Sequence, residues 1–200
     1  MTMLTEKIIY SPAPTPEHLP GLEGASTIKT PGLMEIQHAV AQLYDSGGII
    51  LIDGKPGVGK TFGTKYVLKQ LGVNVHWADM PDTPKGKEAN ARIFTAVTGR
   101  RPPLRMTEYA LTDETVDVLD GLKAVLVVDE AQNMTPHEAK TVITRIGEGS
   151  KLVLIGDLDQ VDTPYLDGKS NGLIHTHERM KGHAITANVR LLHGVRSALS

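Results

Sequence analysis

The segment Gly54-Lys55-Pro56-Gly57-Val58-Gly59-Lys60-Thr61 constrains the fold more than any other feature of the chain. It fits the spacing G-x-x-x-x-G-K-[ST] without a mismatch. Its flanks complete the pattern. Ile49-Ile50-Leu51-Ile52 reads as a strand buried on both faces, and Thr61 to Leu71 reads as a helix closed by Gly72. Glycines at these positions let the backbone wrap an anion with successive N–H groups turned inward. The helix that follows aims its positive end at the same place. Such a loop needs a strand before it and a helix after it, so the chain reads as α/β.

The rest of the chain agrees. Residues 1–30 are punctuated by Pro12, Pro14, Pro16 and Pro20 and read as an extended N-terminal arm. Residues 31–200 read as one domain. Pro31 opens a helix that stops at Ser46-Gly47-Gly48. Further strands are predicted at Val73–Ala78, Ala124–Val128, Lys151–Ile155 and Ala184–Leu192, the last with the faintest signal. Helices are predicted at Lys87–Val97, at Thr112–Leu122 with Thr112 as cap, and around Ser170–Met180. Thr135-Pro136-His137-Glu138 reads as a capping box that starts another helix, ending near Ile146. Strands alternating with helices imply a three-layer sandwich around a five-stranded, mainly parallel sheet.

Composition removes whole classes of function. The 200 residues contain no cysteine, which excludes disulfide scaffolds, iron–sulfur clusters and thiol nucleophiles. Lys and Arg total 21 against 23 Asp and Glu, so no global positive charge draws the chain to nucleic acid. Aromatic residues are 4%, too few for an extended stacking platform. No apolar run reaches the ~20 residues of a membrane helix, and no signal-peptide core opens the chain. A cytoplasmic protein without membrane contact is expected.

Two further segments belong with the glycine loop. Val125-Leu126-Val127-Val128-Asp129-Glu130 is an apolar strand ending in two acids. Asp129 stands where a Mg²⁺ ligand belongs, together with the Thr61 hydroxyl. Glu130 is placed to polarise an attacking water. Gly156-Asp157-Leu158-Asp159-Gln160 follows the fourth strand, and loops at the carboxyl ends of parallel strands converge on one crevice. Gln160 is positioned to contact a γ-phosphate or orient the water. Gly54, Lys55, Pro56, Gly57, Val58, Gly59, Lys60, Thr61 and Phe62 form the expected nucleotide-binding set, with Lys60 reaching the β- and γ-phosphates. Transition-state charge calls for an arginine, and Arg145, Arg179, Arg190 and Arg196 are candidates. Arg190 and Arg196 flank the end of the fifth strand, where a neighbouring subunit could receive them as fingers.

These three segments resemble P-loop NTPases of the branch with an added glutamate, which includes AAA+, RecA-like and helicase proteins. From Val128 onward the likeness narrows. Asp129-Glu130-Ala131-Gln132-Asn133, Thr144-Arg145-Ile146-Gly147, Gly156-Asp157 with Gln160 and Asp162, Pro164-Tyr165-Leu166-Asp167, Ser170-Asn171-Gly172-Leu173 and Arg196-Ser197 resemble PhoH-like ATPases. Residues 35–115 instead resemble AAA ATPases that serve DNA transposition. The resemblance implies Mg²⁺-dependent ATP hydrolysis coupled to remodelling of RNA or DNA by a homo-oligomer, a ring in that family. The alternative it implies is an ATP-dependent assembly switch that recruits a partner to DNA. ATP over GTP rests on this likeness and on the lack of an N-K-x-D guanine motif. A helical lid is not expected after the fifth strand, so a neighbour or the arm would supply that function. A small-molecule kinase is disfavoured by the second acid, Glu130.

Weaker signals lie elsewhere. His175, His177 and His183 are better read as ordinary helix and turn residues than as metal ligands. Lys85, Lys87, Arg92, Arg100, Arg101 and Arg105 make the middle of the chain locally basic, which reads first as a solvated face. Trp77 reads as core or cleft lining.

Overall fold

The computed structural model describes residues 27–44, 48–82, 84, 87–160 and 171–192. Five strands form one sheet: β1 (Gly48–Gly54), β2 (Val75–Asp79), β3 (Val125–Asp129), β4 (Lys151–Gly156) and β5 (Thr186–Leu191). Their order across the sheet is β2-β3-β4-β1-β5, and every pair is parallel. The expected mainly parallel sheet is thus wholly parallel, including the faint fifth strand. Helices α1 (Pro31–Tyr44) and α2 (Lys60–Leu71) cover one face. Helices α3 (Glu88–Thr98), α4 (Glu108–Asp120), α5 (Pro136–Arg145) and α6 (Gly172–Met180) cover the other.

The alternation of β1 divides the core. Ile50 and Ile52 pack under α1 and α2 with Val67, Leu68, Val127 and Ile155. Ile49 and Leu51 pack on the opposite face with Leu126, Leu152, Leu154 and Leu173. Both faces of the strand are therefore dry, which is why its sequence is a continuous aliphatic run rather than an alternation.

Helix boundaries follow local chemistry. Thr135 accepts from the Glu138 N–H, and the Glu138 carboxylate accepts from the Thr135 N–H, completing the expected box. One boundary needs correction. The helix expected from Thr112 begins at Glu108, with Thr107 accepting from the Ala110 N–H as its cap. Thr112 is interior: its hydroxyl donates to Glu108 O and accepts from Asn90. Leu111, Thr115 and Leu119 recur along the buried side and carry the helix a turn earlier than the sequence pattern suggested.

Residues 27–30 precede α1 without regular structure, and the rest of the expected arm lies outside the described residues. So do Lys85, Asp162, Pro164-Tyr165-Leu166-Asp167 and Arg196-Ser197. Among the described residues no helix is long and apolar enough to cross a membrane.

Candidate functional site

Three loops leave the carboxyl ends of β1, β3 and β4, and the strand order places β4 between the other two. The Gly54–Thr61 loop turns left-handed at Gly57 (φ 79°) and Gly59 (φ 97°), a conformation that a Cβ would strain. Gly59 is the N-cap of α2. No side chain caps that end, and no acid sits in its first turn. Its amide dipoles are left to an outside anion. Lys60 is buried, and its Nζ donates to Gly54 O and, at 3.1 Å, to Lys55 O. The ammonium thus lies inside the curl of the loop, where phosphate oxygens would take over from the carbonyls. This arrangement fits a nucleoside triphosphate.

The acid pair on β3 faces the loop. Thr61 Oγ1 donates to Asp129 Oδ2 at 2.9 Å. Burial pushes the Asp129 carboxyl above the ordinary carboxylate range. The Glu130 and Asp79 charges push the same way, while the Thr61 hydroxyl and the Glu130 N–H oppose it. A buried carboxylate beside a hydroxyl, short of positive charge, suits a divalent cation. A raised acid costs stability in its ionised form, so this contribution is intact below pH ~3.9 and lost as pH rises through the folded-state value. Asp129→Asn is therefore expected to raise the melting temperature at pH 7. Calorimetry in the absence of nucleotide checks it. A lower melting temperature would mean that the hydrogen bonds of Asp129 outweigh its burial.

Glu130 adopts φ 55°, ψ 40°, the only positive φ at a non-glycine among the described residues. Strain of this kind persists only where the surroundings enforce it. Here Gln132 Nε2 donates to Glu130 Oε2 at 2.6 Å, and Gln132 Oε1 accepts from the Asp157 N–H at 3.2 Å. One buried amide thus connects the second acid of β3 with the loop after β4. Gly156 makes room for it. A Cβ there would lie 2.3 Å from Gln132 Oε1 and 2.7 Å from Leu173 Cδ2. Gly156→Ala is expected to destabilise the fold by about 1–3 kcal/mol by displacing Gln132 and Leu173. Urea melting reads the effect; an unchanged midpoint would mean that Gln132 reaches its partners another way.

The loop after β4 is tied elsewhere as well. Asp157 is buried, and its Oδ1 accepts from the Asp159 N–H. Asp53, at the end of β1, accepts from the Leu158 N–H at 2.9 Å. Gln160 closes the turn through its N–H to Asp157 O and is half-buried. Arg190 sits on β5 beside Asp53 and forms ion pairs within its own chain, to Asp53 and Asp159. Arg145 lies on the last turn of α5, where a cation suits the helix end. Asp53 and the two-sided role of Gln132 were not foreseen from the sequence. Only the run Asp129-Glu130-Ala131-Gln132-Asn133 carried any signal for Gln132.

The weaker signals resolve quietly. His175 and His177 lie on α6 and His183 follows it; among the described residues no group of three or more His, Asp or Glu could hold a metal ion. Lys87 is turned into its own loop, donating to Leu104 O and Met106 O, and Arg92 pairs with Glu88 at 3.6 Å. The exposed Arg100, Arg101 and Arg105 lead into α4, which carries Glu108, Asp113, Glu114, Asp117 and Asp120. That region is mixed in charge rather than a basic face. Trp77 is half-buried, with Lys65 Nζ of α2 4.7 Å above its ring.

Residues 121–199 match the family model described as PhoH-like protein. Protein PhoH2 of Bacillus subtilis is 56% identical over 75 residues, 38% of this chain and 17% of that protein. PhoH2 of Mycolicibacterium smegmatis is 36% identical over 186 residues, covering 79% of this chain and 42% of that protein. The second alignment reaches well into the first half, where the sequence alone suggested another NTPase type. The chain spans less than half the length of these relatives. Among solved structures, Bacteroides Pif1 in complex with ADP-AlF4 superposes with a TM-score of 0.57 at 19% identity, over 86% of this chain and 44% of that one. The Aeropyrum pernix ORC1 protein in complex with DNA gives 0.55 at 21%, over 88% and 46%. At such identities the likeness is one of fold.

Proposed function

We propose, taking this chain as a P-loop NTPase with a PhoH-like segment in its second half, that it binds ATP with Mg²⁺ and hydrolyses it to remodel RNA or DNA. The observation that carries this reading is the 2.9 Å approach of Thr61 Oγ1 to Asp129 Oδ2, beside a buried Lys60 and the strained Glu130. Gly54, Lys55, Pro56, Gly57, Val58 and Gly59 wrap the phosphates, and Phe62 continues the first turn of α2. Lys60 spreads the charge of the β- and γ-phosphates. Thr61 and Asp129 would hold the metal, which would supply positive charge to the phosphates. A water oxygen attacks the γ-phosphorus, its proton passes to the Glu130 carboxylate, and the bond to the bridging oxygen breaks to leave ADP and phosphate. Gln132 holds Glu130 for this step, and Gln160 contacts the γ-phosphate or the water.

Nucleic acid as the coupled partner rests on relatives of similar fold: ORC1 is described in complex with DNA, and Pif1 is described as a helicase. A homo-oligomer, with Arg196 as a finger, belongs to the same reading. The test is phosphate release from ATP with and without single-stranded RNA or DNA, with and without chelator. Turnover that needs magnesium and rises with one polymer supports the reading and names the substrate. Turnover indifferent to both polymers, with a change of assembly size on adding a non-hydrolysable analogue, favours the assembly switch. No turnover and no nucleotide binding sink both.

A further inference from the structure

Asp53, Gly156 and Arg190 are lateral neighbours on β1, β4 and β5. Lateral neighbours in a sheet direct their side chains to one face. The Asp53 side chain retains 9% of its exposure; Oδ1 holds a hydrogen bond, whereas Oδ2 has no hydrogen-bond partner and only the charge of Arg190 beside it. Oδ1 accepts from the Leu158 N–H at 2.9 Å, and Oδ2 lies 3.1 Å from Arg190 Nε. Arg190 Nη2 reaches Asp159 Oδ2 at 3.3 Å. One guanidinium therefore bridges a buried carboxylate, on the strand that feeds the glycine loop, to an exposed carboxylate in the turn after β4. The planar fork of arginine suits two carboxylates on different edges; a lysine point charge fits less well. The exposed arm contributes little to overall stability. The buried arm matters more, because Asp53 without Arg190 would keep a buried oxygen with no cation beside it.

We propose that Arg190 is a positioning residue acting in cis: with Asp53 it clasps the Asp157–Gln160 turn at the height of the phosphate loop, so that the turn is in place when ATP binds. This rests on the ATPase reading. It gives Arg190 a task inside its own chain, in place of a finger offered to a neighbour. β5 thereby bears on hydrolysis without touching nucleotide.

The test compares phosphate release by the full chain for wild type, Arg190→Ala, Arg190→Lys and Asp53→Asn, with amide hydrogen exchange at Leu158 and Asp159 in the same proteins without nucleotide. Asp53→Asn keeps an acceptor for Leu158 and removes the charge facing Arg190. Arg190→Ala is expected to lower kcat about tenfold with KM changed by about twofold or less, as loss of positioning requires. Arg190→Lys recovers part of the loss, and Asp53→Asn falls between wild type and Arg190→Ala. The Leu158 amide exchanges about tenfold faster in Arg190→Ala. Mixing Arg190→Ala with Lys60→Ala leaves turnover no higher than Arg190→Ala gives alone. Recovery on mixing would overturn the proposal, since it makes Arg190 a finger in trans. Unchanged Leu158 exchange in Arg190→Ala overturns it too. A wild type that releases no phosphate sinks the ATPase reading, and the exchange comparison, which needs no turnover, separates that failure from failure of the clasp.

Discussion

Lys60→Ala is expected to lower ATP turnover by about 1,000-fold, at the upper end of the loss from removing one preorganised transition-state contact. Two effects combine. The ammonium that would meet the phosphates is gone, and the carbonyls of Gly54 and Lys55 lose the donor around which the loop curls. The nucleotide affinity therefore falls together with the rate. Lys60→Met separates the parts, because it keeps the aliphatic stem that packs in the buried position and removes only the charge. If charge at the phosphates dominates, the methionine variant is as inactive as the alanine variant and melts close to wild type. Fluorescent-nucleotide anisotropy and phosphate release check both quantities. A Lys60→Ala protein that still turns over within tenfold of wild type would mean that the loop binds something other than a triphosphate.

Glu130→Gln is expected to act differently. Turnover falls by about 100-fold or more, yet nucleotide stays bound, because no phosphate contact is removed. Glutamine cannot accept the proton of the attacking water. The backbone at this position already stands in the left-handed region, at a cost of about 1–2 kcal/mol for a residue with a Cβ. Glu130 stands between the end of β3 and the 3-10 turn Ala131–Asn133, with its carboxylate held by Gln132 Nε2. Gln132→Ala is the milder companion. It leaves the carboxylate in place and removes its tether, so a loss of about tenfold is expected, as for a misplaced group rather than a missing one. Equal losses in the two variants would instead assign the chemistry to the pair as a unit.

The parts of this site that are contiguous in sequence were legible, and the parts that span the sheet were not. The glycine loop can be read because its chemistry is local: backbone turns, a helix end and a lysine must follow one another within a few residues. Asp129 and Glu130 could be read because a buried strand ending in acids is unusual. The Thr135–Glu138 box was legible for the same reason, since both partners lie within one turn. Thr107 was missed because a nearby threonine, Thr112, offered an equally good cap, and only packing of Leu111 against the core decides between them. The clasp of Asp53, Arg190 and Asp159 had no local signature. It exists because β5 lies beside β1, and strand order is a tertiary property. Gln132 shows the same limit from the other side: its residue type was visible, but its second partner, the Asp157 N–H, lies across the sheet.

The position of β1 has a consequence for how the molecule comes into being. Its hydrogen-bonded neighbours are β4 and β5 alone, with Gly48 opposite Lys151 and Ile49 opposite Thr186. The phosphate loop is therefore synthesised long before the strands that hold it. Closing so long an interval carries a substantial loop entropy, and sheets built from distant pairings assemble slowly. Until then Ile49-Ile50-Leu51-Ile52 presents an aliphatic strand with both edges open, a template for misassociation. A nascent chain stopped before β4 should thus be a chaperone client, unprotected by ATP however much is present. The first half of the chain supplies β1 and β2 and the second half β3, β4 and β5, yet β1 lies between β4 and β5, so neither half can be cut away with its own sheet intact.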